Sequence, residues 1–192
     1  MLEKEGMVRR IQGRGTFVSA SVADAPNRGD LSELVRRLRQ LDGSSRLDQI
    51  VIRTAPADEQ VARNLQIETT ENVVHASYVR VRNEEPIGVA DIYIPVSMGV
   101  EIKPEDMRGP SPILIESKGV DVLGAHQLIG AALADSRTAS KLGVPVGSPV
   151  VEVQLLVLDM TSRPVELLRA YYRADKYVHH VFLAAQQGNK LP

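Results

Sequence analysis

Two arginines stand close together on a stretch that alternates like a β-strand. In the segment YVRVRNEEPIG, Arg80 and Arg82 are separated by one residue, so their side chains would project from the same face of a strand. Two guanidinium groups side by side can hold a phosphate or a carboxylate through paired hydrogen bonds. The alternative is that both arginines belong to the solvated face of a half-buried sheet. Periodicity alone favours that alternative.

A second group of polar residues lies near the end of the chain, in RPVELLRAYYRADKY. Strand alternation places Glu166 and Tyr172 on one face and Arg169 on the other. A carboxylate and a phenol on a common face can bind hydroxyl or amide groups of a ligand. A cross-strand pair with an arginine is an equally common use of such an acid. Asp91 interrupts the apolar strand GVADIYIP, and an acid there needs an arginine, a ligand or water as its partner.

Several kinds of catalytic chemistry are excluded by what the sequence lacks. The chain has no cysteine, which excludes disulfides, thiol nucleophiles and cysteine-ligated zinc. The GxSxG, HExxH and P-loop motifs are also absent. His179 and His180 are adjacent, so on a strand they would point to opposite faces and could not easily share a metal. We therefore predict no catalytic residue, no metal site and no cofactor.

The composition is that of a globular protein with almost no net charge. Of the 192 residues, 43% are hydrophobic, and the formal net charge is −1. That length and composition predict one main domain with a sizeable core. The charge argues against the whole chain being a nucleic-acid binder. Because no apolar run approaches the length of a membrane span and no signal peptide is recognisable, we expect a soluble cytoplasmic protein.

Short helices are predicted between long antiparallel hairpins. Helical spacing occurs in DLSELVRRLRQLDG, in PADEQVARNLQI with Pro56 at its start, in PILIESKG and in SRTASKLG. Two hairpins are predicted, in NVVHASYVRVRNEEPIGVADIYIP and in SPVVEVQLLVLDMTSRPVELLRAYYRAD. The segment VDVLGAHQLIGAALAD fits either a strand or a helix. These elements predict an α+β fold, a mostly antiparallel sheet with packed helices, and not a doubly wound fold.

The N-terminal stretch LEKEGMVRRIQGRGTFVSA predicts a two-stranded hairpin with a basic tip. It resembles the last part of a GntR-type winged helix-turn-helix: a helix end, a glycine, an apolar-basic strand, a Q-G-x-G-T turn and then F-V. The resemblance implies a wing whose tip lies against DNA phosphates or in the minor groove. The DNA-binding residues that it implies are Arg9, Arg10, Gly13, Arg14, Gly15 and Thr16.

The remainder resembles the UTRA ligand-binding domain of the HutC-like branch of the same family. The resemblance is carried by ARNLQI, RVRNEEPIGVADIYIP and RPVELLRAYYRADKY, and it spans nearly all of residues 30–181. It implies a chorismate-lyase-like fold and a bacterial repressor that forms a homodimer and responds to a small metabolite. The positions that match the effector site of the family are Arg80, Arg82, Asp91, Glu166 and Tyr172.

One departure from the family pattern bears on the ligand. Where sugar-phosphate-sensing relatives carry Ser or Tyr and a further Arg, this chain has Pro112, Glu116, Lys118 and His126. The departure weakens a phosphosugar interpretation and leaves a carboxylate as open as a phosphate. We therefore expect a small anionic metabolite, with Ser44–Ser45 as further candidates for its binding.

The resemblance divides the chain into four segments. These are a wing remnant at 1–20, a linker at 21–29, the UTRA domain at 30–185 and a frayed tail at 186–192. Because a lone two-stranded hairpin is marginal in water, we expect a truncated or mis-started product, with operator DNA bound only by the full-length protein. Two other functions stay open: a chorismate-lyase-like enzyme, and a dimerisation module without an effector. The wing argues against the enzyme, which has no use for it.

Overall fold

The computed structural model describes residues 8–11, 15–18, 29–108 and 111–180. The chain divides into two compact units, Met1–Glu33 and Leu34–Pro192, and each is described by itself. Regular elements follow one another in this order: β1 (Val8–Ile11), β2 (Gly15–Val18), α1 (Leu31–Gly43), β3 (Arg46–Pro56), α2 (Glu59–Leu65), β4 (Asn72–Arg82), β5 (Glu85–Pro95), 3₁₀ segments at Val96–Met98 and Pro104–Arg108, α3 (Ser111–Ser117), β6 (Val122–Leu133), α4 (Ser136–Leu142), β7 (Pro149–Asp159) and β8 (Pro164–Arg173).

In the smaller unit, β1 and β2 form the predicted hairpin. The two strands pair in antiparallel fashion from Val8 opposite Val18 to Ile11 opposite Gly15. The predicted DNA-binding residues Gly13 and Arg14 lie outside the described residues. The same holds for most of the predicted linker and for the predicted tail.

The larger unit is built on an antiparallel sheet in which six strands follow the order β3-β4-β5-β8-β7-β6. The α+β prediction is confirmed. The ambiguous segment is the strand β6, which pairs with β7 from Val122 opposite Asp159 to Leu133 opposite Pro149. β5 and β8 are the two central strands, and most of their residues are buried on both faces of the sheet.

Tight turns fix the register of the hairpins. Asn83 and Glu84 have φ of 50° and 62°, and positive φ at both central residues is the geometry of a type I′ turn, whose twist matches that of the flanking strands. The Asp159 carboxylate accepts hydrogen bonds from the backbone N–H groups of Thr161 and Arg163 and closes the β7–β8 turn. Both turns lie inside the two stretches that the sequence predicted as hairpins.

Capping residues set where the short helices begin. We predicted that the second helix starts at Pro56, but Pro56 ends β3 and α2 starts at Glu59. The reason is Asp58, whose carboxylate accepts the N–H groups of Gln60 and Val61 at 2.9 and 2.7 Å and is therefore the stronger N-cap. Among the residues that the structure describes, no helix is both long enough and apolar enough to cross a membrane.

The two faces of the sheet differ in what covers them. Two apolar clusters lie on one face, which we call the α2/α4 face. One cluster joins Val61 and Leu65 of α2 to the sheet, and the other joins Ala139 and Leu142 of α4 to it. The opposite face, which we call the cavity face, carries Arg80 near the end of β4.

The two edges of the sheet are also unlike each other. β3 contains charged residues and an irregularity between Asp48 and Val51, with Gln49 at φ 51°. Charges and bulges of this kind protect an edge against pairing with another strand. β6 has no Asp, Glu, Lys, Arg or Pro in its sequence VLGAHQLIGAAL. Its large apolar residues Leu123, Leu128, Ile129 and Leu133 are exposed.

Gly88 offers a test of the packing at the centre of the cavity face. Gly88 of β5 lies opposite Tyr172 of β8, and a Cβ on Gly88 would lie 2.6 Å from Tyr172 Cδ1. Gly88→Ala must displace the ring, so we expect it to lower the free energy of unfolding by about 1–3 kcal/mol. Urea denaturation measures the change.

Gly130→Ala is the matched control, because a Cβ at Gly130 meets no atom within 4 Å. We expect this variant to be as stable as the parent or slightly more stable, since alanine restricts the unfolded chain. Equal losses in the two variants would contradict the packing described for Tyr172.

Candidate functional site

A cavity of about 510 Å³ lies beside the strands β3 and β4. Its volume is in the range of small-molecule sites. The 3₁₀ segment Pro104–Arg108 forms one wall and the start of β3 forms the other. The described residues that line it are Ser45, Arg46, Leu47, Ile50, Arg80, Pro104, Glu105 and Met107.

Two arginines, Arg46 and Arg80, line the cavity, and Arg80 is the more deeply buried of the two. Its side chain extends from β4 and the residue is 7% exposed. Nη1 donates a hydrogen bond to Ser45 Oγ at 3.0 Å. The guanidinium carbon lies 5.7 Å from the centre of the Tyr78 ring, which adds a cation–π contact. Arg80 is thus a fixed positive charge with a hydroxyl beside it.

A surface ion pair connects the rim of the cavity to the β4–β5 turn. Arg46 donates to both carboxylate oxygens of Glu84, at 2.8 and 3.0 Å. Both side chains are more than half exposed, so the pair contributes little stability in water. Its geometry nevertheless holds the β4–β5 turn beside the start of β3, where Ser45 and Arg46 line the cavity.

Tyr172 lies on the same face of the sheet as Arg80. Arg80 is opposite Gly88, and Gly88 is opposite Tyr172, so the three residues form one row across β4, β5 and β8. Since Gly88 has no side chain, the Tyr172 ring occupies the space above it. The Tyr177 ring lies beside the Tyr172 ring, and the two ring centres are 4.9 Å apart.

Glu166 is a buried acid without a hydrogen-bond partner. The residue is 0% exposed, and neither Oε1 nor Oε2 has a hydrogen-bond partner among the described residues. Burial raises the pKa of Glu166 well above its ordinary value, because the charged form is poorly solvated there. The strand alternation puts Glu166 on the cavity face with Tyr172, six residues along β8, or roughly 20 Å.

Comparison with known proteins fits this architecture. The family profile described as "UTRA domain" matches residues 36–178. The chain belongs to the UTRA domain family of GntR-family transcriptional regulators. It is 26% identical to the HTH-type transcriptional regulator Rv0792c of Mycobacterium tuberculosis over 95% of this chain and 68% of that protein. It is 24% identical to the HTH-type transcriptional repressor NagR of Bacillus subtilis over 94% of this chain and 75% of that protein.

Solved structures of effector domains have the same fold. The ligand-binding domain of a protein described as a GntR-family transcriptional regulator from Bordetella bronchiseptica superposes with a TM-score of 0.61 at 27% identity, over 73% of this chain and 88% of that one. The effector domain of PhnF from Mycobacterium smegmatis gives a TM-score of 0.63 at 18% identity, over 79% of this chain and 94% of that one. These similarities confirm the predicted chorismate-lyase-like α+β fold.

Within the UTRA domain, Asp91 lies on the opposite face of the sheet from Arg80, Glu166 and Tyr172. Asp91 lies opposite Ser77 and Arg169, on the α2/α4 face. His75 Nε2 lies 2.7 Å from Asp91 Oδ1, and Arg137 donates to both oxygens of Asp91 at 2.9 and 3.2 Å. The sequence predicted that an acid at this position needs a partner, and His75 and Arg137 of the same domain are its partners.

The surroundings of Asp91 keep it ionised. Burial alone raises the pKa of Asp91, but the hydrogen bonds from His75 and Arg137 outweigh burial and lower the pKa to about 2. His75 stacks on Tyr93 with ring centres 4.6 Å apart, and its Nδ1 accepts from Arg53 Nε at 3.3 Å. Asp91 is therefore the centre of an internal network on the α2/α4 face.

Arg82 is the last residue of β4. The pairing of β4 with β5 shifts between Arg80 and Val81 because β5 contains one extra residue there. Arg80 lines the cavity and Arg82 is not among its described lining residues. Arg82 Nε is buried and has no hydrogen-bond partner among the described residues, so a role for Arg82 in ligand binding stays a prediction.

Sequence reasoning missed most of the cavity wall. Ser45 was a minor candidate, whereas Arg46, Glu105 and Met107 carried no motif that marks a site. Of the residues noted as departures from the family, Lys118 forms an ion pair with Asp106 at 2.6 Å. That pair connects the end of α3 to the cavity wall. The wall depends on packing between distant segments, which a local pattern does not report.

The buried carboxyl of Glu166 predicts a pH-dependent stability. Because its folded pKa is raised, the stabilising state is fully present below the ordinary pKa of 4.5. Stability is lost as the pH rises from there through the folded pKa, at up to about 1.4 kcal/mol per pH unit. Glutamine cannot ionise, so Glu166→Gln removes this loss. We therefore expect the free energy of unfolding to fall less between pH 4 and pH 7 in Glu166→Gln than in the parent. Chemical denaturation at the two pH values measures the effect.

Glu116→Gln is the control for that experiment, because Glu116 is exposed near the end of α3. The control should show the same pH dependence as the parent. If Glu166→Gln also follows the parent, Glu166 is ionised in the folded protein.

Proposed function

We propose that this UTRA domain is the effector-binding and dimerisation part of a HutC-type repressor that senses a small anionic metabolite and thereby controls operator binding. The observation that carries the proposal is the buried guanidinium of Arg80 in the wall of a cavity of about 510 Å³. A buried cation in a site of ligand size favours an anionic ligand, because burial strengthens the electrostatic interaction.

The groups around Arg80 suit a carboxylate or a phosphate. Guanidinium donors match the geometry of both oxyanions, and the Ser45 hydroxyl can donate a further hydrogen bond. Glu105 and the apolar residues Leu47, Ile50 and Met107 line the rest of the cavity. They would contact the part of the effector that is not anionic.

Tyr172 and Glu166 are two further proposed contacts on the cavity face. Tyr172 is in the same row as Arg80, so a small ligand bound at Arg80 would reach Tyr172 first. Glu166 lies roughly 20 Å farther along β8, and its carboxyl oxygens, which have no hydrogen-bond partners among the described residues, would take a hydroxyl or amide group only from a ligand that extends that far. Asp91 is assigned to the network on the other face instead, and the role of Arg82 is left to the test below.

The effector would act by binding one arrangement of the repressor better than another. A difference in affinity equivalent to about 1–3 kcal/mol is typical of such coupling. The named repressor among the relatives supports repression as the outcome. The wing residues of the repressor would contact the operator backbone; they are Arg9, Arg10, Gly13, Arg14, Gly15 and Thr16.

Substitution of the two arginines separately tests the site. We expect Arg80→Gln to weaken effector binding at least about tenfold because it removes the buried charge. We expect Arg82→Gln to change the affinity much less, since Arg82 does not line the cavity. The measurement is a thermal-shift screen with sugar phosphates, amino acids, urocanate and other small carboxylates. A ligand at a hundredfold excess over its dissociation constant stabilises by about 2.7 kcal/mol.

Arg63→Gln is the matched control for both variants, because Arg63 is an exposed arginine on α2 that pairs with Glu59. A ligand that shifts the parent and Arg80→Gln equally would contradict the assignment of Arg80. A ligand whose response is lost in Arg82→Gln and kept in Arg80→Gln would move the anion site to the end of β4.

The dimer proposed for this repressor has a candidate surface on β6. The strand is 12 residues long, carries no Asp, Glu, Lys or Arg and forms an edge of the sheet among the described strands. Two copies can pair antiparallel through such edges about a two-fold axis, which is the symmetry of most homodimers. Exposed apolar side chains on both faces of β6 would then be covered.

A charge placed on β6 tests that surface. We expect Leu128→Lys, at a residue 63% exposed, to leave the monomer folded and to weaken the dimer at least about tenfold, because it buries an unpaired charge. Val51→Lys on the opposite edge strand, at a residue 52% exposed, is the control. Sedimentation equilibrium measures both. A dimer that Val51→Lys weakens and Leu128→Lys does not would place the interface at β3.

A further inference from the structure

Arg169 is a buried cation for which the described residues provide no counter-ion. It extends from β8 onto the α2/α4 face, and the residue is 9% exposed. Nε and Nη2 are both buried and have no hydrogen-bond partner among the described residues. The guanidinium carbon lies 5.8 Å from the centre of the Tyr93 ring, which adds a cation–π contact.

The carboxylates that could neutralise Arg169 from neighbouring strands and helix caps already have other donors. Asp91 is directly opposite Arg169 in the sheet, yet it binds His75 and Arg137. Three other carboxylates also accept hydrogen bonds elsewhere. Asp58 accepts from the N–H groups of Gln60 and Val61, and Asp135 accepts from the N–H of Thr138. Glu152 accepts from the side chains of Gln154 and Tyr171.

The two unpartnered nitrogens lie on the same edge of the guanidinium plane. Nε–H and Nη2–H point in nearly parallel directions, and this edge is the one that binds both oxygens of a carboxylate or two oxygens of a phosphate. A buried charge left without a counter-ion is strongly destabilising. The buried edge of Arg169 therefore has the donor arrangement that binds an oxyanion.

A row of side chains on the α2/α4 face connects Arg169 to the edge of the sheet. Arg169, Gln154 of β7 and Leu128 of β6 are paired in register, and Leu128 at the outer end is 63% exposed. The Arg137 side chain is 55% exposed, and Arg53 is exposed on β3. These two cations add positive potential that attracts an anion toward the row.

We propose that Arg169 is the centre of a second oxyanion site, on the α2/α4 face, that binds the carboxylate or phosphate group of a small molecule. The site is separate from the cavity, because Arg80 and Arg169 project from opposite faces of the sheet. It is also independent of the effector function proposed above. A regulator with two such sites could respond to two different anionic metabolites.

The experiment uses Arg80→Met as the background, so that the cavity contributes no guanidinium. Thermal unfolding midpoints are measured in sodium phosphate, sodium acetate and sodium chloride at equal ionic strength. We expect phosphate or acetate to raise the midpoint over chloride in Arg80→Met. The rise should vanish in Arg80→Met with Arg169→Met, and persist in Arg80→Met with Arg63→Met. No rise in Arg80→Met, or a rise that survives Arg169→Met, overturns the proposal.

Arg169→Lys keeps the charge but loses the two-nitrogen edge. In the same background we expect it to weaken the apparent affinity for the anion at least tenfold. An unchanged affinity would mean that charge alone attracts the anion, which overturns the site. If Arg169→Met does not fold, Arg169→Lys still tests whether the anion binds at Arg169.

A second copy of the chain is the competing source of a carboxylate for Arg169. Sedimentation equilibrium of the parent and of Arg169→Lys in chloride separates the two sources. Equal dimer dissociation constants support a small-molecule site. A dimer weakened at least tenfold by Arg169→Lys would show that the acid comes from the partner copy, and would overturn the small-molecule proposal.

Discussion

The alternation of side chains along β5 and β8 determines which polar groups can meet in this protein. Both strands are at the centre of the sheet and are buried on both faces. A polar residue in the middle of these strands is taken out of water, and alternation decides the face on which a partner can meet it. Asp91 and Arg169 go to one face, and Glu166 and Tyr172 go to the other. The chemistry of each face follows from that division.

The two buried acids show how differently the two faces treat a charge. Asp91 is held ionised by two donors, with its pKa lowered to about 2. Glu166 has no such donor among the described residues, and burial raises its pKa. Burial and hydrogen bonding therefore move the pKa values of these two acids in opposite directions.

Much of the sheet could be predicted because its signals are local. The turn at Asn83–Glu84 and the alternating residues on either side of it determine the β4–β5 hairpin without help from distant segments. The same alternation correctly put Glu166 and Tyr172 on one face. Asp91 was grouped with them by its position in the family pattern, and only the pairing of β5 with β4 and β8 places it on the other side.

The errors came from features that depend on competition or on long-range packing. The start of α2 was misplaced because Pro56 and Asp58 both suit a helix N-terminus, and the hydrogen bonds of the Asp58 side chain decided between them. The cavity wall at Pro104–Arg108 has no periodicity that predicts it. Its place next to β3 arises from tertiary contacts, including the pair between Lys118 and Asp106.

The unequal edges of the sheet limit how far it can grow. A sheet with two unprotected edges can add one copy after another, and such growth ends in fibrils. Among the described strands of the six-stranded sheet, the bulge at Gln49 and the charges of β3 disfavour strand addition on one side and leave β6 as the edge that favours it. Growth at a single edge stops after the first partner is added. The irregularity in β3 thus works as a terminator, and it keeps a strand as apolar as β6 compatible with a discrete particle.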